Sequence, residues 1–319
     1  MDTTSHNFSW QSWTFGEHSS SVLRDVAIID ENNIWVVGEI YQYDSLGQLD
    51  PTAYNVVHWD GIEWKFYRIM FYTICGQQSR TPYPASAIFA FNESEVWIGM
   101  DGRQIARING IIQVETICPP FSMIINKIWG TSSNDLYIVG YNGNIAYYNG
   151  SSWQKVESGT DVDVQDIWGI ANKPLEPLIL CAASNVLEPG DHTILSININ
   201  NKIDTIGWKS DRRINSTWFK GDSKLFACGA GVFIRNDGIN WEEQTKLPLT
   251  YTRRIRGTDN NDVFVAGDFG FVAHYNGSSW KEYPGANVAL FYSLDYKNEI
   301  MVAVGERNGK GVVLIMQRE

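Results

Sequence analysis

Three carboxylates, Asp101, Asp268 and Glu306, fall at the same point of a sequence unit that recurs along the chain, just after the second of its apolar runs. Two carboxylates held about 5–9 Å apart across one opening can act as the acid and the base or nucleophile of a glycosidase. The same turns carry Glu39 and Tyr41, Arg103, Tyr141 and Asn142, Phe269 and Arg307. A second set stands at the start of the units: Arg24 and Asp25, Asn126 and Lys127, Gln165 and Asp166, Asn215 and Ser216, Arg253 and Arg254. Rings such as Tyr41, Tyr141 or Phe269 could stack on a sugar while Asp, Asn and Arg groups bind its hydroxyls; the bland alternative is solvated loop chemistry. The candidate ligand contacts are Arg24, Tyr41, Asp101, Arg103, Tyr141, Arg254, Asp268, Phe269 and Glu306. The chain has no G-x-S-x-G, H-E-x-x-H or Walker pattern, so no catalytic residue is identified.

The unit that must position these groups is clearest in INKIWGTSSNDLYIVGYNGNIAYYNGSSWQKVESG, Ile125 to Gly159. It has four short runs rich in β-branched and aromatic residues, separated by Gly, Asn, Asp and Ser, which reads as four strands. Asn149-Gly150 between IAYY and SSW signals a two-residue hairpin turn. One such antiparallel meander, about 40 residues long, has the size of one propeller blade. Related units cover Asp25 to Ile69, Ser86 to Cys118, Val164 to Trp208, Ile214 to Lys246, Thr252 to Pro284 and Leu290 to Arg318. The last has only three runs, and FSWQSWTFGE, Phe8 to Glu17, matches the missing fourth. The expectation is an all-β, seven-bladed propeller spanning 1–319 as one domain, with strand 8–17 closing the last blade and 1–7 a tether or disordered lead. Closure removes an edge that would invite aggregation.

Three departures from the repeat, residues 39–55, 70–85 and 184–193, lie between second and third strands or between blades. In a propeller these connections open on one face, so they should form one rim, the usual place for a binding site on a rigid scaffold. Elsewhere the bland reading prevails. Trp129, Trp168 and Trp218 share one column, and Trp64, Trp153, Trp241 and Trp280 another, as inter-blade packing would require. A net charge of −11 argues against nucleic acid and anionic membrane surfaces. No apolar run is long enough for a membrane span.

The start, MDTTSHNFSW, has no basic region followed by an apolar one. A cytoplasmic chain would look like this, as would a secreted one lacking its leader; the polar lead favours an extracellular, periplasmic or cell-surface location. Cys75 and Cys118 flank the second unit and could pair in an oxidising compartment. Cys181 and Cys228 fall inside second strands and read as small buried hydrophobes. The five His are scattered, with His58 and His274 in one column, and turns such as Asp259-Asn260-Asn261-Asp262 read as turn formers rather than Ca²⁺ ligands. No metal and no cofactor is expected, and the chain is expected to be a monomer.

The units IWGTSSNDLYIVGYNGNIAYYNGSSW and IRGTDNNDVFVAGDFGFVAHYNGSSW resemble the repeats of secreted bacterial β-propellers, a group similar to the propellers of the photosystem II assembly factor and of the sialidase (BNR, Asp-box) superfamily. The resemblance covers nearly the whole chain and implies the fold; it does not fix an activity. The Asp-box pattern is met in part: Gly61/Trp64, Gly150/Trp153, Gly238/Trp241 and Gly277/Trp280 keep its Gly-x-x-Trp end, without the Asp two residues earlier. A sialidase would need an arginine cluster, for which Arg24, Arg103, Arg253 and Arg254 are available, and a tyrosine–carboxylate pair that no motif identifies. The functional expectation is a non-catalytic module that engages a glycan or a protein on its loop-rich face. The alternative is a glycosidase with carboxylates at the channel mouth.

Overall fold

The computed structural model describes residues 3–170, 178–185, 191–198, 200–208, 211–221, 224–236, 238, 240–285 and 289–319. Seven four-stranded antiparallel sheets follow one another along the chain as the blades of a β-propeller. Blades 1 to 6 run through residues 22–67, 85–117, 125–156, 164–206, 214–243 and 252–282, with the first strand of each innermost. Blade 7 takes three strands from 290–318 and its outermost from Phe8–Phe15. That strand pairs without interruption from Phe8 opposite Arg318 to Phe15 opposite Gly311, so the two ends of the chain close the ring.

Burial follows strand position. The inner strand Ile214–Phe219 is buried at every residue, because neighbouring blades cover both of its faces. The outermost strand Ile112–Ile117 keeps Ile112 and Val114 at least half exposed. The inner tryptophan column packs one blade against the next. A methyl group on Gly169 would sit 2.5 Å from the Trp129 ring, and one on Gly257 would sit 2.8 Å from the Trp218 ring. Trp168 donates its indole N–H to the Phe219 carbonyl of the following blade, at 2.9 Å.

Asn149-Gly150 does not make the two-residue turn that the sequence suggests. Tyr148 pairs with Trp153, leaving a four-residue loop. Only Gly150 of the two has positive φ. The Asn149 carboxamide accepts the Ser151 and Ser152 amides at 3.0 and 2.9 Å, which satisfies the loop without a second left-handed residue. Asn276 does the same in blade 6. The lead before blade 7's closing strand is docked: Thr4 bonds the Asn261 and Asn276 carbonyls, and His6 meets His274.

Candidate binding site at the channel mouth

Each inner strand carries a register shift near its start, so that Arg24, Ser86, Asn126, Gln165, Asn215, Arg253 and Tyr292 stand unpaired at the same level of all seven blades. A bulge leaves one residue without a ladder partner and re-aims its side chain. The repeated glycine that ends the second strands makes room for it: a Cβ on Gly140 would lie 1.7 Å from the Ile124 carbonyl oxygen, and one on Gly305 would lie 1.8 Å from that of Leu290. Blade 4 has Ala183 and blade 2 has Met100 in that place.

The seven bulge residues divide into two arcs. In blades 2 to 5 they are neutral and already bonded to backbone. Ser86 donates to the Ile125 carbonyl, Asn126 to Val164, Gln165 to Ser184 and Asn215 to Thr252. In blades 6, 7 and 1 they are Arg253, Tyr292 and Arg24. Arg253 binds Asp268 through Nε at 2.7 Å and Nη2 at 3.2 Å. Its guanidinium lies 4.9 Å from the Tyr251 ring and 5.0 Å from the Tyr292 ring. Arg213 covers Tyr251 at 5.0 Å. Tyr292 donates its hydroxyl to Glu306 at 3.0 Å. Burial, then the Glu306 charge, pushes its phenol upward, against the pull of Arg253 and Arg24. Arg24 is exposed and carries no ion pair among the described residues. An alternating cation–aromatic row thus runs along the mouth over blades 5, 6, 7 and 1, each such contact contributing about 0.5–1 kcal/mol when exposed.

Phe269 follows Asp268, the partner of Arg253. It is 82 % exposed and has φ +60° inside the turn Asp268–Gly270. An aromatic residue in the left-handed region carries strain of about 1–3 kcal/mol. The Asp268 amide to the Tyr251 carbonyl and the Gly270 amide to the Ala289 carbonyl hold it there. A cleft of about 360 Å³ leads from Phe269 past Pro248 and Thr250 to Tyr283.

Arg254 does not stand on the rim. The side chains one position past each bulge point inward and are buried; among them, Asp25, Lys127, Asp166 and Arg254 plug the channel. Asp25 accepts the Lys127 ammonium on both oxygens at 2.7 Å, across two blades, and also the Ser293 hydroxyl and the Ile88 amide. Asp166 is held by Arg254 and by both Arg256 nitrogens, at 2.9 and 2.7 Å, with Ser216 beside it. Burial alone would push the Asp166 carboxyl up, but the two arginines outweigh it and hold it at about 2. Burial lowers Lys127 against the opposing pull of Asp25. The space left within the plug, about 40 Å³ between Lys127, Arg256 and Asp295, suits a water rather than a ligand.

The remaining candidates are dispersed. Tyr41 donates to Glu39 at 2.7 Å and contacts His18 on blade 1's side of the mouth. Asp101 is exposed and Arg103 half-buried in blade 2, and Tyr141 is 41 % exposed in blade 3. None of these contacts the arc formed by Arg253, Asp268, Tyr292 and Glu306. The 70–85 connection is built rather than loose. Gln104 and Gln113 bond both backbone groups of Tyr72 and Met70, and a disulfide joins Cys75 to Cys118 with their Cα atoms 6.1 Å apart. Cys181 and Cys228 are free and buried. In the 184–193 segment, residues 186–190 lie outside the described residues, as do Asp237 and Ile239 of the blade 5 turn.

Sequence reasoning missed Tyr251, Tyr292 and Arg213. Aligning FYSLDY of the seventh unit with TRRIRG of the sixth places Tyr292 in the column of Arg24 and Arg253, so that signal was present. It also missed that the tryptophan column becomes Arg256 in blade 6 and Asp295 in blade 7. His274 proves structural in a way its column did not reveal. It bonds Asp262 at 2.7 Å, which in turn binds Tyr296 and Arg318.

No family model and no curated protein matches the chain. Solved structures do. One described as YCF48 bound to D1 peptide shares 13 % identity with a TM-score of 0.68, over 100 % of this chain and 99 % of that one. YCF48 from Cyanidioschyzon merolae shares 14 % at 0.62, over 97 % and 98 %. The WD40 β-propeller domain of Doa1 shares 14 % at 0.62, over 97 % of both. Among the described residues no helix is long and apolar enough to cross a membrane. At these identities the likeness is one of fold, and the chain is a seven-bladed β-propeller with its charged arc at one side of the mouth.

Proposed function

We propose that this propeller is a non-catalytic interaction module that takes an extended segment of a partner protein across the mouth, over blades 6, 7 and 1. The observation that carries this is the row Tyr251, Arg253, Tyr292 and Arg24, which offers stacking surfaces and an unpaired guanidinium on a rigid frame. Arg and Tyr dominate the energetics of such interfaces. Arg24 would take a carboxylate of the segment, and the exposed Phe269 ring would anchor it beside the cleft. The solved complex of YCF48 with a peptide supports a peptide as the ligand class. The disulfide supports a working location outside the cytoplasm. The glycosidase alternative has less support, since Arg253 engages Asp268 and Tyr292 engages Glu306.

Panning a phage library of random 12-residue peptides on the protein tests this, with the Arg24→Ala/Arg253→Ala variant as counter-selection. Enriched acidic peptides that bind at least tenfold more weakly to the variant are the expected result. Equal binding to both would remove the mouth as the site.

A further inference from the structure

At the end of the propeller opposite the mouth, blades 7 and 1 part to leave a groove of about 370 Å³. Its floor is aromatic. Trp13 of the closing strand and Trp59 of blade 1 have ring centroids 5.8 Å apart, and Trp64 backs them at 5.8 and 5.4 Å. Above Ile34, Ile300 and Ile315 its walls carry two amides and one carboxylate: Gln11 and Gln317 from blade 7 and Glu31 from the first turn of blade 1. All three are exposed, and their side chains make no hydrogen bond among the described residues. No lysine, arginine or histidine lines the groove.

The neighbouring junction is covered by the chain itself. Between blades 6 and 7, at the same end, the chain's own lead lies against the turns of blade 6. Thr4 bonds the Asn261 and Asn276 carbonyls, and the His6 carbonyl accepts the Tyr283 hydroxyl at 2.7 Å. The lead then continues into the closing strand on the blade 6 side and leaves the blade 1 side uncovered. The walls of the groove are built from paired strands of blades 7 and 1 together with the turns that hold Glu31 and Gly61, so it is preformed. Its volume lies within the range of small-ligand sites, about 300–1,000 Å³.

We propose that this groove binds a neutral saccharide. A pyranose offers one apolar C–H face and a girdle of hydroxyls, and it is matched by tryptophan rings flanked by amide and carboxylate groups. Unpaired amides gain most from a ligand that can both donate and accept. The absence of any cation from the lining turns the site away from phosphates, sulfated sugars and acidic peptides. It is thereby distinct in place and chemistry from the arginine-bearing mouth.

The test is isothermal titration of the whole protein with cellotetraose, maltotetraose, mannotetraose and chitotetraose. The Gln11→Ala/Gln317→Ala variant follows; it removes two exposed side chains that hold nothing else. Trp59→Ala is compared with it, its folding checked by circular dichroism. The expected result is saturable binding of at least one of the four, weakened tenfold or more in the glutamine variant and retained in Arg24→Ala/Arg253→Ala. No binding of any of the four at millimolar concentration overturns the proposal. So does binding that the glutamine variant leaves intact, or binding that the arginine variant abolishes.

Discussion

Arg253 and Arg254 are neighbours in the chain and live in different solvents. Arg253, on the bulge, is part-exposed at the mouth, pairs with an Asp268 that water also reaches, and lies between two tyrosine rings. Arg254, one step along the strand, is buried in the channel with Asp166, a carboxylate that has no exposed surface. The same Arg–Asp chemistry therefore has two consequences. An exposed pair contributes about 0–1 kcal/mol to stability, so its side chains are available for other work. A buried pair gains little over an apolar core when complete, but breaking it strands a charge at a cost of about 3–5 kcal/mol. The mouth can be altered without loss of the fold, and the interior cannot.

The largest effect should come from Asp166→Asn, which leaves Arg254 and Arg256 buried around a neutral amide. A loss of about 3–5 kcal/mol by urea unfolding is expected; a change under 1 kcal/mol would mean that water already reaches the plug. Next comes Gly257→Ala. Its methyl group would press on the Trp218 ring at 2.8 Å and on the Asp262 carbonyl at 2.7 Å, and overpacking of this kind costs about 1–3 kcal/mol. Asp268→Asn, at the mouth, should move stability by less than about 1 kcal/mol.

The sequence made the architecture readable because every blade repeats the same period-2 runs and turn residues, down to the missing strand found at Phe8–Phe15. The candidate site was readable only in part. The columns beginning Arg24-Asp25 and Arg253-Arg254 read from the sequence as rim residues in both positions. A one-residue bulge then decides which member of each pair meets water, and no local pattern marks it. Arg254 was therefore taken for a rim residue, and Tyr292, hidden by a different side-chain chemistry in the same column, was passed over. The Asn149-Gly150 turn was misjudged for a related reason, since the Asn side chain can satisfy the loop that a second left-handed residue would otherwise close.

The smallest effect concerns the lead. His6 and His274 approach Nδ1 to Nδ1 at 2.8 Å, so one of them must accept and stay neutral there. Burial, then the His274 charge, draws His6 down to about 4 from its ordinary 6.5, and burial also lowers His274. A depressed histidine binds fewer protons when docked than when free. Docking is therefore at full strength above about pH 6.5 and weakens as the pH falls toward about 4. The protection factors for amide exchange at Thr4 and Glu319, which bond to the Asn276 and Asn7 carbonyls, should fall over that window while those of the blade cores are kept. His6→Gln should flatten the dependence.

The most direct measurement sets Arg253→Ala beside Arg254→Ala, each read by thermal unfolding and by titration with a mouth-binding peptide. Arg254→Ala leaves Asp166 paired with Arg256 and strands no charge, so it should lose about 1.5–3 kcal/mol of stability, the worth of hydrogen bonds to a buried charge. Arg253→Ala should unfold with the wild type and bind the peptide at least tenfold more weakly. Equal stability losses in the two variants, or full peptide affinity in Arg253→Ala, would contradict the division between a structural interior and a recognising mouth.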